Sequence, residues 1–573
     1  MAVRHPEALP MAKIAFLSIL GRNAHGLRMM SSILRRNGHE CHIVFLKRYG
    51  RSPSVEAEPG DYPWIGIDTR GREFRYAHGS PITPRELELL RGLLQRIRPG
   101  AIGMSVTTPL RKRNMRVTQF IRTFSNAPVI WGGYDPTVNT GDCLDHCDYA
   151  CVGEGDVTIL EIARHLDAGE NLDGIANLSY RRGGTTVTIP RGPLVSDLDS
   201  LPWRDNSPEF KYFIEDDRLI ESYPLLTDRP PGTYQTISSR GCPYRCTYCC
   251  EASMKDLYAG ERFLRRRSAR DTVAELAEAK KEFGATGIMF EDEIFGMDHK
   301  WLQQFVPLYR EQVGLPFSAY LYPTRNIDKL LPMLKEAGLR SCCVSLQSGS
   351  ERIHKNVFDR PYDRALFLKT IRLCRSWDVV FYTDIITFNP YEEESDLQNT
   401  LDALLDIEGP YGLCINKLFV LPGTPLAERM RRDGKAIGDG PRNELFAHYC
   451  RLFWMASFSA FSRPVVRAVK RFGIFRRHPA LVNMTAIEFG FRVVNALHRR
   501  ALLLRKFLTP HAAAASPAAH MSANPPATAE RARVHPGEPV AGSPSWPGTA
   551  EDDRGLAADQ LATNAGEDRR QAG

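Results

Sequence analysis

Apolar positions along this chain fall into two series of short runs, each run followed by a stretch with helical spacing. In the first series Lys13–Leu17, Cys41–Leu46, Ala101–Val106, Pro128–Trp131 and Tyr149–Val152 predict strands. Leu27–Arg36 and Met115–Phe124 carry the spacing of amphipathic helices, and Asn37-Gly38-His39 supplies a helix stop. Strands interleaved with helices predict an α/β domain over 12–170, built on an open, doubly wound parallel sheet. Ligands of such sheets bind beyond the carboxyl ends of the strands, where this chain places its glycine-rich turns.

The second series is more regular. Predicted strands are Gln235–Ser239, Gly287–Glu291, Phe317–Tyr322, Ser341–Leu346, Val379–Phe388 and Leu413–Val420. Helical patterns separate them at Ala269–Phe283, His299–Gln312, Ile327–Ala337, Arg364–Trp377 and Glu393–Asp406. Strand–helix units without a clear seventh predict a partial (β/α)6 barrel over 233–430, with its chemistry at the carboxyl ends of the strands. Residues 171–232 carry many prolines and read as a connector with a small hairpin around Asn177–Thr188. A helical, basic extension is expected over 431–509. A tail rich in Ala, Pro, Gly and Ser, 510–573, cannot bury enough surface to order itself.

Composition narrows the class. At 573 residues the chain exceeds what one core supports, and 43% hydrophobic with 25% charged residues is an ordinary globular balance. The 13 cysteines are odd in number and unevenly spaced, unlike a secreted disulfide framework. No apolar stretch is long enough to span a bilayer and no leader pattern opens the chain, so a reducing cytoplasm is expected. The net charge of +8 is concentrated: Pro441–Leu508 holds 13 Lys or Arg against two acids, Glu444 and Glu488. The rest of the chain is slightly acidic, so no nucleic-acid partner is expected. The basic segment reads as helices capping the barrel. Its aromatic residues also make 441–508 a candidate for peripheral membrane contact.

The chemistry concentrates in Arg240-Gly241-Cys242-Pro243-Tyr244-Arg245-Cys246-Thr247-Tyr248-Cys249, just after the first strand of the second series. Three thiolates at C-x3-C-x2-C spacing can hold three irons of a [4Fe–4S] cluster and leave the fourth without a protein ligand. The competing readings are a zinc knuckle and three unrelated cysteines. A zinc site wants a fourth ligand, and Cys250, adjacent to Cys249, offers poor geometry for one. Cys143, Cys147 and Cys151 repeat at four-residue spacing, but Cys151 falls on a strand and Cys143 in a loop, which disfavours a second metal site. Cys342 and Cys343 read as barrel core.

The cysteine run resembles the signature of radical S-adenosylmethionine (SAM) enzymes, in which the open iron chelates the amino acid end of SAM. Upstream, Trp131-Gly132-Gly133-Tyr134-Asp135-Pro136-Thr137 and Cys151-Val152-Gly153-Glu154-Gly155-Asp156 resemble the two turns of the Rossmann-like cobalamin-binding domains fused to radical SAM barrels. Asp135 stands where that family often has His. The resemblance implies cobalamin contacts from Ser105, Thr107, Gly132, Gly133, Asp135, Gly153, Glu154 and Gly155. Glycine at strand ends lets a flat macrocycle approach the backbone. His25 sits in Arg22-Asn23-Ala24-His25-Gly26-Leu27-Arg28, which lacks the Asp and the Gly of the usual lower-ligand loop. It therefore reads as a loop residue, and the resemblance implies cobalt with no histidine on its lower face.

Along the barrel the resemblance continues through Phe290-Glu291-Asp292-Glu293, through Ser345-Leu346-Gln347-Ser348-Gly349-Ser350, where Gln347 replaces the usual Glu, and through Leu421-Pro422-Gly423-Thr424-Pro425. It implies [4Fe–4S] ligation by Cys242, Cys246 and Cys249, and SAM contacts from Tyr248, Glu291, Asp292, Gln347 and Ser348. The implied activity is a cobalamin-dependent methyl transfer to an unactivated carbon, or to phosphorus, of a small-molecule or lipid substrate. Its electrons would come from a donor such as flavodoxin or ferredoxin. The cofactors carry that chemistry, so no catalytic side chain is assigned. The alternatives are an oxidative cyclase or rearrangement enzyme with the same cofactors, a transfer-RNA methylthiotransferase, and a non-catalytic cobalamin sensor.

Overall fold

A computed structural model of the chain describes residues 11–21, 23–47, 65–67, 73–75, 81–222, 232–437, 441–458 and 462–472. The expected tail, 510–573, and the extension beyond residue 472 lie outside the described residues.

The first sheet runs in the order Arg218–Glu221, Lys211–Glu215, Glu40–Leu46, Lys13–Ile19, Ala101–Ser105, Val129–Gly132, Tyr149–Cys151, Leu178–Arg182, Thr185–Val187. Its inner strands are parallel and both edges are antiparallel hairpins. Strand order reverses at Lys13–Ile19, with Glu40–Leu46 on one side and Ala101–Ser105 on the other. That switch point opens a crevice at the carboxyl ends. Alternate residues of each strand feed two cores, as the two-residue period of a strand demands. Leu17, Val44 and Met104 pack with Leu90, Leu94 and Val117 on one face. Ile14, Phe16 and Ile43 pack with Ile33, Ile159 and Ile162 on the other.

The second sheet carries parallel strands in chain order: Thr233–Thr236, Gly287–Phe290, Phe317–Leu321, Leu339–Val344, Val380–Thr387 and Gly412–Lys417. The intervening helices begin and end where local chemistry directs. Ser268 caps Ala269–Phe283 by accepting from the Asp271 N–H, and Gly284, left-handed at φ 69°, closes it. Asp298 and Asp363 cap His299–Gln312 and Arg364–Ser376 in the same way. A capped terminus is worth about 1 kcal/mol. The outer face of the sheet buries Phe290, Phe295, Phe305, Phe317 and Leu334 against these helices. Each such side chain contributes roughly 1.5–3 kcal/mol.

Two features depart from the reading of the chain as consecutive blocks. The hairpin expected around Asn177–Thr188 is present as Leu178–Val187, but with Lys211–Glu221 the stretch read as a connector builds both edges of the first sheet. A hairpin from early in the chain, Ile65–Ile67 with Glu73–Arg75, crosses over and pairs with Gly412–Lys417 at the far edge of the second sheet. The docking of Lys211–Glu215 on Glu40–Leu46 and of Ile65–Ile67 on Gly412–Lys417 pairs residues far apart in the chain, which no local pattern displays. The helix Pro441–Phe458 packs Phe446, Tyr449 and Phe453 into the barrel core. After it, Arg463 donates to Ala456 O, and Lys470 donates to Asp402 of the barrel helix Glu394–Leu405. Among the described residues no helix is long and apolar enough to cross a membrane.

Candidate active site

The cysteine loop leaves the barrel through a short strand, Ser239–Arg240, paired antiparallel with Arg265–Arg266, and ends in the helix Cys250–Leu257. Gly241 is left-handed at φ 86°, and a Cβ there would stand 2.6 Å from Phe263 O, so only glycine can start the loop. Two backbone contacts tether it, Thr247 N–H to Phe358 O and Leu426 N–H to Thr247 O, both at 2.9 Å, and Cys249 N–H to Cys246 O at 2.9 Å turns the loop on itself. Cys242, Cys246 and Cys249 are free thiols on this one loop. Burial pushes the Cys242 thiol up to about 12 and raises Cys246. A hydrogen bond to Cys250, with burial, raises Cys249. The thiols therefore stay protonated until a metal displaces the proton. Among the described residues no three His, Cys, Asp or Glu side chains converge tightly enough for a single ion. A cubane binds each cysteine at a different iron, so one loop with three spread thiols suits it.

Next to this loop the two sheets face each other across a cavity of about 410 Å³. On the first-domain side Ser105, Gly132, Gly133, Gly153 and Gly155 line the strand ends, above apolar side chains that include Ile14, Phe16, Ile130 and Ile162. The barrel side contributes Arg240 and Gly241 from one end of the cysteine loop, Glu251 and Met254 from the other, and Glu291 and Glu293 after the second barrel strand. A glycine-edged wall over an apolar floor fits a flat macrocycle with a bulky apolar substituent.

The glycines differ in what requires them. Gly153 has φ 84°, and a Cβ would stand 2.1 Å from the Tyr258 hydroxyl, whose oxygen accepts from the Glu154 N–H at 2.8 Å. Gly133 has φ 112°, and its Cβ would meet Val106 O at 2.8 Å. Gly132 is otherwise free: its Cβ would meet only Cys151 Cβ at 3.7 Å. Packing between the domains thus explains Gly153 and local backbone explains Gly133, whereas the open space in front of Gly132 belongs to the cavity.

Charges clamp the same seam. Arg240 holds Asp156 bidentately at 2.7 and 3.0 Å and reaches Glu154 at 3.1 Å. Arg265, fully buried, also grips Glu154. Burial and the Asp156 carboxylate dominate the environment of Arg240, and the net effect of its acidic partners raises its pKa. The cavity acids are less well served. Burial, then the charge of Glu293, lifts Glu251 to about 7, and its Oε2 is buried with no partner. Burial, then Asp292, raises Glu293, and burial raises Glu291.

Of the residues singled out in the sequence, the structure gathers Ser105, Gly132, Gly133, Gly153, Glu154, Gly155 and Glu291 around this cavity. Asp135 lies away from it, fully buried, accepting from Thr108 at 2.8 Å, Arg111 at 2.8 Å and Asn139 at 2.9 Å. Thr107 also lies outside the cavity wall and precedes the short turn Thr108–Leu110. Asp292 is absorbed by its own loop, accepting from Ser238 N–H at 3.0 Å and Ser238 Oγ at 2.7 Å. Glu293, one residue on, faces the cavity instead. Gln347, left-handed at φ 61°, donates to Asp384 at 3.1 Å and leaves its Oε1 buried without a partner. Ser348 is buried beside Thr400, and the Tyr248 ring packs edge-on to Phe358 at 4.7 Å.

Sequence reasoning missed Arg360. Its guanidinium lies 3.9 Å from Cys246 Sγ and 4.8 Å from the centre of the Tyr322 ring. A lone arginine after a helix carries no local signature; only the fold brings it to the cysteines. It also missed Glu251 and the clamp arginines, Arg240 and Arg265. His25, read as a loop residue, is the first residue of the helix His25–Arg36 and part of the cavity wall.

Comparison with known proteins agrees with this layout. Residues 236–404 match the radical SAM superfamily. The chain is 27% identical over 275 residues to an uncharacterized methyltransferase, PH0819, of Pyrococcus horikoshii, covering 46% of this chain and 54% of that one. It is 26% identical over 262 residues to cytidylyl-2-hydroxyethylphosphonate methyltransferase of Streptomyces wedmorensis, covering 41% and 47%. The chain thus spans about half the length of these curated relatives. Its fold is similar to that of the radical S-adenosylmethionine methyltransferase TsrM from Kitasatospora setae, solved with cobalamin and a [4Fe-4S] cluster bound. The TM-score is 0.54 at 16% identity, over 75% of this chain and 76% of that one.

Proposed function

We propose that the chain is a radical SAM enzyme whose barrel follows a cobalamin-binding domain, and that it acts as a cobalamin-dependent methyltransferase on a small molecule. The observation that carries this reading is one cavity with two walls: the ends of the three-cysteine loop on one side and the glycine-edged strand ends on the other. When bound, a [4Fe–4S] cluster would supply single electrons for cleaving SAM, and a corrinoid would supply the methyl group at the facing wall.

The chain's own residues bind, orient and neutralise. Cys242, Cys246 and Cys249 hold the cluster. Arg360, beside Cys246, suits the SAM carboxylate, since a guanidinium pairs bidentately with a carboxylate. Glu293, which faces the cavity and has no cation paired with it among the described residues, suits the SAM amino group. Gln347, with a spare amide oxygen next to Asp384, suits ribose hydroxyls. Ser105, Gly132 and Gly155 leave the corrinoid wall flat, and the Arg240–Asp156 and Arg265–Glu154 pairs keep the walls in register. The substrate enters between them. A low-potential one-electron donor, of the flavodoxin or ferredoxin kind, completes the reaction.

Anaerobic reconstitution with iron, sulfide and hydroxocobalamin tests this. We expect about four irons per chain, as a cubane requires, together with bound cobalamin. SAM should be turned over to 5′-deoxyadenosine and S-adenosylhomocysteine. Iron without cobalamin would leave a radical SAM enzyme of another kind. S-adenosylhomocysteine absent in the presence of bound cobalamin and turned-over SAM would favour a cyclase-type outcome.

A further inference from the structure

His25 is an anomaly in the cavity wall. Its Nδ1 is buried without a hydrogen-bond partner, and no described residue bonds its Nε2. Buried polar atoms are satisfied in the great majority of cases, so an exception calls for an explanation. Burial, reinforced by Arg204, Arg240 and Arg267, holds the ring neutral with a pKa near 3, so a nitrogen lone pair is available at any physiological pH.

The ring is also held in place. Ala24, immediately before it, sits in the left-handed region at φ 39°, unfavourable for a residue with a Cβ. Asn23 donates to Glu291 at 3.1 Å and accepts from Arg204 at 2.6 Å. Arg28 closes the turn by donating to Asn23 O at 3.0 Å. A strained loop pinned from both domains therefore presents an unpartnered, uncharged imidazole to the space in which the proposed function seats a corrinoid. Neutral imidazole is the commonest protein ligand of transition metals.

We propose that His25 is a protein ligand of the corrinoid cobalt. This rests on the cobalamin reading and departs from the histidine-free lower face that the sequence resemblance implied. Bound through Nδ1, the ring would have no described acceptor for its Nε2 N–H and so lack the usual partner that raises the basicity of a metal-bound histidine. It would therefore be a weak ligand of the metal.

The test uses the full chain, grown with 15N-histidine, loaded with hydroxocobalamin, freed of unbound cofactor and reduced to the cobalt(II) form. Electron paramagnetic resonance then reports the axial nitrogen directly. Natural-abundance nitrogen splits each cobalt line into a triplet, and a 15N ligand from the protein splits it into a doublet. We expect the doublet in labelled wild type and its loss in His25→Ala and His25→Gln, with both variants retaining cobalamin. The wild-type readout stands even if a variant misfolds. A triplet that ignores the label means that the cofactor's own base binds the metal, and absent splitting means that no nitrogen does. Either outcome overturns the proposal while leaving the cobalamin reading intact. Failure of wild type to retain cobalamin overturns both.

Discussion

The two walls of the cavity are built on opposite principles. The first-domain wall is stripped: glycines at the strand ends, isoleucine and phenylalanine beneath, and the His25 imidazole, whose Nδ1 has no hydrogen-bond partner among the described residues. The barrel wall is crowded with charge: Arg240 and Arg265 are paired across the seam, and Glu251, Glu291 and Glu293 crowd close to the cysteine loop. A flat macrocycle needs close backbone approach more than fixed side-chain charges. A cluster and a zwitterionic co-substrate need fixed charges in a low-dielectric site. On the proposed function, one cavity would serve both, with the two chemistries kept on separate surfaces.

The largest test of that separation is a Cys242→Ala, Cys246→Ala, Cys249→Ala variant. Iron and 5′-deoxyadenosine formation should vanish, while cobalamin retention stays within about twofold of wild type, as independent sites behave. Concerted loss of cobalamin would show that the walls depend on each other.

Next in size is the clamp. Arg265→Met leaves Glu154 facing a buried, apolar neighbour, and removing one member of a buried ion pair costs ~3–5 kcal/mol. Chemical denaturation should show a loss near the lower bound, because Arg240 still reaches Glu154. Adding Glu154→Gln should restore part of it. A loss equal to that of a surface arginine would mean that the seam is not electrostatically held.

Two glycines then separate folding from cofactor fit. Gly153→Ala forces a left-handed alanine into the Tyr258 hydroxyl and should cost about 1–3 kcal/mol of stability, partly regained with Tyr258→Phe. Gly132→Ala meets no close atom and should stay within about 0.5 kcal/mol of wild type in thermal unfolding. Its added methyl group should nevertheless weaken cobalamin retention. Equal effects at both positions would erase the distinction drawn between them.

The smallest effect is a pH dependence. Glu251 has a folded pKa near 7, above its ordinary value of 4.5, so the folded chain binds the extra proton between those values. Stability should fall as pH rises through that window and level off above it, since the unfolded state there binds fewer protons than the folded one. Glu251→Gln should flatten that portion of the melting-temperature profile. An unchanged profile would place the titrating group elsewhere.

Legibility in the sequence followed the range of the interactions. The barrel helices Ala269–Phe283, His299–Gln312 and Ile327–Ala337 begin and end where their periodicity and flanking residues indicate. Caps and apolar stripes act within a few residues, so the chain displays them directly. The helix Pro84–Ile97 escaped notice although Thr83 and Glu86 form a capping box around Pro84. The hairpin around Asn177–Thr188 was legible, but the crossing hairpin Ile65–Arg75 and the edge strands at 211–221 could not be placed, since the strands they dock on lie far along the chain.

For the site, the cysteine run and the glycine turns were visible because backbone geometry and ligand spacing demand particular residues at neighbouring positions. That is what this sequence determined by itself: two α/β units, a three-thiol loop after the first barrel strand, and glycines at the ends of the first sheet. The tertiary structure decided which groups face the shared space. It turned Asp135 and Asp292 inward to their own loops and brought Glu293, Arg360 and His25 forward. It also joined the two units through Arg240 and Arg265. Side-chain direction and ion pairing across a domain seam depend on contacts between residues distant in sequence, and no local pattern encodes them.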